Sequence, residues 1–205
     1  MPLSKTIILS KKQIEEVDLS SLFPYLAWNG QFLQYFKEGP GQEPYKLLAY
    51  ISKHSRGVVS DVGTQNGSSA LALSLNPEVQ VETYDKFKLI PDSNSGTITI
   101  NDRPNIKYRI LSGQSVINRI ANSSVAYLDI NTADGQEEIK FITKLQELGF
   151  KGLMILDDIH LNDTMKNVWT NVPNKLKKVD VTELGHWSGT GIIVYDPSFL
   201  DVSIV

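Results

Sequence analysis

The sequence predicts an α/β fold: a Rossmann-like, seven-stranded, mostly parallel sheet with helices on both faces and an antiparallel hairpin toward its C-terminal end. Three observations predict it. Strand-like and helix-like segments alternate from Gly57 to Thr170, the order that parallel β-α units require. Four strand-like segments finish in acid, at Asp61, Asp85, Asp129 and Asp157-Asp158. The last two strand-like segments, Lys178–Leu184 and Gly191–Tyr195, are joined by the turn Gly185 to Gly189 and not by a helix.

The chain has 205 residues, 41% hydrophobic and 21% charged, which suits one globular domain with a sizeable core. Twenty basic residues against 23 acidic ones give a net charge of -3, so a nucleic-acid partner is not expected. There are no cysteines, which excludes disulfides, thiolate catalysis and thiolate-held metals. No apolar run reaches the roughly 18 residues of a membrane span, and the N-terminus carries no signal-peptide core. A soluble protein of the cytoplasm or another intracellular compartment is the expectation, with no membrane partner.

Residues 1–56 read as an N-terminal helical and aromatic extension of a single domain covering 1–205. Ser10 followed by Gln13 resembles a capping box for a short helix from Lys11 to Val17. An aromatic stretch follows, with Tyr25, Trp28, Phe32, Tyr35 and Phe36 disposed around Pro24 and Gly30 and closed by Gly39-Pro40-Gly41. Two readings are open: a segment packed on the domain, or a lid whose rings contact substrate. Leu47, Leu48 and Ile51 give Glu43–His54 one apolar helical face.

The sheet then begins. Strands are expected at Gly57–Val62, Val79–Tyr84, Tyr108–Leu111, Val125–Leu128 and Gly152–Leu156, with a helix from Ser68 to Leu75 after the first. Asp134 with Glu137 is expected to cap a helix whose Ile139, Ile142, Leu145 and Leu148 form a core stripe ending at Gly149. Asn162–Thr170 is expected to be a helix with Met165, Val168 and Trp169 turned inward. The Pro91 to Gly96 segment reads as a surface loop, and Thr97–Ile100 as a small extra strand.

In an open α/β sheet, ligands sit beyond the carboxyl ends of the strands, where all four acidic ends would gather. So many carboxylates repel one another unless a cation or a donor-rich ligand compensates. Gly63 and Gly67 bracket a tight turn that lets a ligand approach the backbone at the start of a helix. Neither the Gly-x-Gly-x-x-Gly fingerprint nor the Gly-Lys-Ser/Thr phosphate signature is present. Asp85, one strand later, is a carboxylate able to accept both hydroxyls of a ribose.

Val59 to Ala70, followed by Val81-Glu82-Thr83-Tyr84-Asp85, resembles the first two cofactor motifs of class I S-adenosylmethionine (SAM) dependent methyltransferases. The order of elements from Gly57 to Tyr195, about two thirds of the chain, is similar to that family's sheet. The resemblance implies that Gly63, Thr64, Gly67 and Ser68 hold the methionine moiety, that Asp85 binds the ribose, and that Asp61 positions the loop or the cofactor amino group. Ser112 and Gly113 would approach the adenine, with Asp129 also at the cofactor. Leu128-Asp129 and Leu156-Asp157-Asp158 further resemble the divalent-metal-dependent O-methyltransferases of catechols and of macrolide or aminocoumarin sugars. Asp129, Asp157 and Asp158 would then hold Mg²⁺, with Mn²⁺ the alternative.

Such a metal would chelate neighbouring hydroxyls of the acceptor and align one with the sulfonium methyl group. His160, His186 and Asp134 are the candidates for a base. Some sugar methyltransferases carry an acid or histidine shortly after the first metal aspartate, where this chain has Asn131 and then Asp134. Trp28, Tyr25 and Phe36 are candidates for an apolar wall over the acceptor and Trp187 for a stacking ring, although core packing is the ordinary role of such residues. The expected acceptor is a sugar or a terminal glycan residue. The alternatives are a catechol-type acceptor, a cofactor-binding or interaction protein without catalysis, and a metal-dependent hydrolase. Oligomeric state is left open.

Overall fold

The computed structural model of the chain describes residues 5–39, 41–92, 97–130 and 134–205. Pro40, residues 93–96 of the expected surface loop, and Asn131 lie outside the described residues.

The chain opens with β1 (Lys5–Leu9) and α1 (Lys11–Glu15), then a 3-10 turn at Ser20–Leu26, α2 (Gly30–Lys37) and α3 (Glu43–Lys53). The alternating part follows: β2 (Gly57–Val62), α4 (Ser68–Leu73), β3 (Val79–Asp85), β4 (Ile106–Ile110), α5 (Gln114–Ile120), β5 (Val125–Leu128), α6 (Gln136–Glu147), β6 (Leu153–Asp157) and α7 (Asp163–Thr170). The chain closes with β7 (Lys177–Asp180), β8 (Thr190–Val194) and β9 (Leu200–Ile204). The main sheet has the order β4-β3-β2-β5-β6-β8-β7. Its first five strands run parallel, and β8 is antiparallel to both β6 and β7. The expected seven-stranded sheet with its terminal hairpin is what the chain forms.

Strands covered on both faces need apolar residues on both, and β6 supplies them. Leu153 and Ile155 enter the core shared with α3 and α4, whereas Met154 and Leu156 enter the core shared with α5, α6 and α7. The first of these cores also takes in Ile7, Leu9, Leu22, Leu26 and Phe36, so much of the N-terminal extension is buried with the sheet. Phe36 is fully buried beside Phe23 and Tyr45, which removes it from any wall over an acceptor. The strand order reverses between β2 and β5, which opens a crevice at their carboxyl ends.

Several expectations need correction. Ile139 and Leu148 are 50% and 48% exposed, and the buried face of α6 is Glu138, Phe141, Ile142 and Leu145. Steps of three residues fall about 60° short of a full turn, so a strict three-residue stripe winds off the core. The N-cap of α6 is Gly135, at φ 76°, and Asp134 instead accepts the Gln136 amide at 3.0 Å. Thr97–Ile100 forms no strand; Thr99 caps a 3-10 turn at Ile100–Asp102 in a reciprocal capping box. The Lys178–Leu184 strand stops at Asp180, because Thr182–Leu184 tightens into another 3-10 turn. The sequence reading also missed β1 and β9, which pair in parallel as a separate two-stranded sheet.

Candidate active site

The turn after β2 is shaped by one close approach. Gly63 has φ 98°, and a Cβ placed there would stand 1.7 Å from the Asp129 carbonyl oxygen. Only glycine lets the turn pass this close to the end of β5. Below it Asp61 is fully buried, and Thr83 Oγ1 donates to its Oδ2 at 2.5 Å. With Asp61 ionised, that uses the one Thr83 proton, so Thr64 Oγ1 donates to Thr83 Oγ1, also at 2.5 Å. Asp61 Oδ1 has no partner among the described residues. Burial pushes its carboxyl up to about 6, opposed chiefly by the Thr83 hydroxyl.

Asp85, at the end of β3, accepts the Gln65 amide at 2.9 Å and the Phe87 amide at 3.0 Å. Gln65 is itself left-handed, at φ 46°. A cavity of about 460 Å³ opens above this turn, lined by Gly63, Asp85, Ser112, Gly113, Asp129 and Asp134, with Leu111, Val116 and Phe141 as apolar walls. Its size is that of a small-molecule site. Thr64, Gly67, Ser68 and Asp61 are absent from its lining. Ser68 is tied by both its amide and its hydroxyl to Asn66 Oδ1, at 2.8 and 2.6 Å. The glycine approach, the cavity and the acid at its rim fit a SAM-sized cofactor.

Next to the cavity lies a group of acids. Tyr127 Oη donates to Asp157 Oδ2 at 3.0 Å, while Asp157 Oδ1 is buried with no hydrogen-bond partner among the described residues. Asp158 is left-handed at φ 61°, a strained state for a residue other than glycine. His186 Nδ1 stands 3.9 Å from Asp157 Oδ1 and 3.7 Å from Asp158 Oδ1. Ser188 Oγ contacts both Asp158 Oδ1 and His186 Nδ1. The Asp158 carboxylate, more than any other group, raises the pKa of His186 against the effect of burial. Burial, then Asp157 and Asp158, push Asp129 up to about 8, and burial pushes Asp157 up to about 6.

Donor atoms of Asp157, Asp158 and His186 all lie within 4.8 Å of one another. Carboxylate oxygens, an imidazole and an orphaned buried oxygen fit a divalent cation. Asp129, which the sequence grouped with Asp157 and Asp158, is not one of these three donors, although it acts electrostatically on the same acids and lines the cavity. The physical reason is the left-handed turn at Asp158 together with the Asp157–Thr190 pairing, which brings the turn before β8 to the end of β6.

The other candidates for a base fall elsewhere. His160 Nε2 is 2.7 Å from Asp180 Oδ2 on the edge strand β7, and both side chains are well exposed. Asp134 lies at the cavity rim, engaged with the backbone of α6. Trp187 is 77% exposed, its ring 5.4 Å from that of His186. Tyr25 lies under the Arg103 guanidinium and Trp28 is half-buried. The sequence reading missed three hydroxyls. Tyr127 and Ser188 bind the acids directly, and Tyr45, on α3, is close enough for Asp129 and Asp157 to act on it while burial pushes it up to about 12. A tyrosine in a buried strand two positions before a strand-end acid was the available signal for Tyr127; the other two carried none.

No protein-family model matches the sequence, and no curated protein matches it. Solved structures do match. The O-methyltransferase from Bacillus cereus in complex with SAH gives a TM-score of 0.59 at 14% identity, covering 87% of this chain and 93% of that one. The O-methyltransferase TomG from Streptomyces achromogenes in complex with SAM gives 0.59 at 12% identity, covering 88% and 91%. SAH-bound methyltransferase PaMTH1 from Podospora anserina gives 0.59 at 12% identity, covering 86% and 88%. What the chain shares with these proteins is their architecture, the Rossmann-like methyltransferase fold.

Proposed function

We propose that the protein is a SAM-dependent O-methyltransferase that methylates one of two neighbouring hydroxyls on a small molecule, with a sugar or a terminal glycan residue as acceptor and a divalent cation at the acid group. The observation that carries this reading is the position of Asp129. It lines the cofactor-sized cavity and acts on Asp157 and Asp158, so the methyl donor and the acceptor oxygen would meet across it. Two of the solved structures of similar fold are O-methyltransferases, which favours the same reaction.

In the reaction, the carbon-sulfur bond of the sulfonium breaks as the acceptor oxygen bonds the methyl carbon, and the hydroxyl proton departs. Asp85 would take the ribose hydroxyls, and the turn at Gly63 would pass the methionine moiety. The Asp61-Thr83-Thr64 chain holds that turn from below. When bound, a divalent cation supplies charge stabilisation and a chelation point for two hydroxyls. Asp129, which lines the cavity outside the Asp157, Asp158 and His186 donors, would receive the proton, whereas His160 is engaged with Asp180. Alignment of donor and acceptor accounts for most of the rate, since direct displacement needs no covalent intermediate. Trp187, exposed beside His186, offers a flat apolar face to a sugar ring.

Isothermal titration with SAM, repeated with EDTA and with Mg²⁺, tests the proposal. Saturable binding, followed by methyl transfer to sugar diols in preference to catechols, is the expected result. A folded protein that binds no SAM in either condition overturns it, and turnover without a methyl donor would replace it with a hydrolase.

A further inference from the structure

The turn that carries His186 is built into the sheet edge. The Ile159 amide donates to the Gly189 carbonyl at 3.2 Å and the His160 amide to the Ser188 carbonyl at 2.8 Å. Gly189 has φ 105°, and a Cβ there would meet the His160 amide nitrogen at 2.7 Å. The His186 amide donates to Thr190 Oγ1 at 2.9 Å, and the His186 carbonyl accepts the Gly189 amide at 2.9 Å. The imidazole is therefore set against the acids by backbone contacts on both sides of it. Opposite stands Asp157, nine-tenths buried, its Oδ2 fixed by Tyr127 and its Oδ1 without a hydrogen-bond partner among the described residues and 3.9 Å from His186 Nδ1. An ionised oxygen left without a donor at this depth is costly unless a cation completes it.

We infer that Asp157, Asp158 and His186 form a mixed nitrogen-oxygen metal site, with His186 Nδ1 as a direct ligand, and that the site selects a divalent first-row transition ion over Mg²⁺. Imidazole nitrogen raises affinity along the series from Mn²⁺ to Ni²⁺, whereas Mg²⁺ favours oxygen and water. Asp129, outside this group of donors, is left to face the cavity. The inference rests on the proposed function for its context and sharpens it by naming the metal class.

The test uses the intact protein stripped with chelator, with Mg²⁺, Mn²⁺ and Co²⁺ titrated separately. Co²⁺ should bind at least tenfold more tightly than Mg²⁺, and the Mn²⁺-loaded protein should show ¹⁴N modulation in pulsed electron paramagnetic resonance. His186→Ala, with its fold checked by circular dichroism, should lose the ¹⁴N signal and about tenfold or more of Co²⁺ affinity, while Mg²⁺ changes by less than about threefold. Asp157→Asn should weaken both ions. Equal affinity for Mg²⁺ and Co²⁺, no ¹⁴N modulation in the unaltered protein, or no metal binding would each overturn the inference. SAM binding is measured apart: a nitrogen-ligated metal in a protein that ignores SAM would sink the methyltransferase reading alone, and SAM binding with an oxygen-only metal would sink the metal inference alone.

Discussion

The carboxyl edge of the sheet has two unlike halves. Over β2 and β3, the turn is matched, since Asp85 takes two backbone amides and Asn66 takes both donors of Ser68, while the fully buried Asp61 below it keeps Oδ1 without a partner among the described residues. Over β5, β6 and β8, Asp129, Asp157 and Asp158 act on one another, Asp157 Oδ1 is likewise without a partner among the described residues, and Asp158 is strained. The first half is ready to receive a ligand, whereas the second stores unfavourable energy until one arrives. Binding at the second half should therefore stabilise the protein more than its contacts alone suggest.

The largest effect expected is at the seam between the halves. Gly63→Ala puts a methyl group 1.7 Å from the Asp129 carbonyl in a left-handed residue and should cost about 3–5 kcal/mol. A melting temperature lowered by roughly 10 °C, with loss of SAM binding, is the expected reading; an unchanged melt would break the account of the seam. Next, Asp157→Asn should remove the unpartnered charge, raise metal-free stability by about 1–3 kcal/mol, and weaken divalent-cation binding. Destabilisation of the metal-free protein by chemical denaturation would contradict stored energy in that half.

A pH experiment sharpens the contrast within the first half. Asp61 has a folded pKa of about 6 against about 3.9 in the unfolded chain, so between these values the folded state binds more protons. Its contribution to stability is thus greatest below pH 4 and declines as pH rises to about 6, by roughly 3 kcal/mol. The difference in unfolding free energy between the unaltered protein and Asp61→Asn should move by that amount from pH 4 to 7, and a constant difference would refute it. The smallest effect is at the outer edge. His160→Gln should cost under about 1 kcal/mol and leave metal and SAM binding unchanged, because the His160-Asp180 pair is exposed.

The two halves also differed in how far the sequence disclosed them. The bounds of β2 and β5 and the turn at Gly63 were readable because apolar runs, a glycine and a terminal acid are adjacent in the chain. The acid group was readable in its aspartates, and His186 was named as a candidate base but not as a donor beside Asp157 and Asp158. His160 lies two residues from Asp158 and turns to Asp180, while His186 arrives from 28 residues away through the antiparallel pairing of Asp157 with Thr190. Proximity along a chain says little once a strand reverses. The stripe of α6 misled for a geometric reason, since a three-residue period does not follow a helix, and β1 was passed over because five residues give little periodicity without a visible partner.

That partner has a consequence for synthesis. Lys5 pairs with Leu200, about 195 positions later, and the Val205 amide closes on the Leu9 carbonyl. At about 5–20 residues per second, the ribosome finishes β9 roughly 10–40 s after β1 has been made. For that interval Ile7 and Leu9, both buried in the finished protein, have no strand beside them. Docking of β1 therefore waits until β9 has been made, however early its own residues emerge.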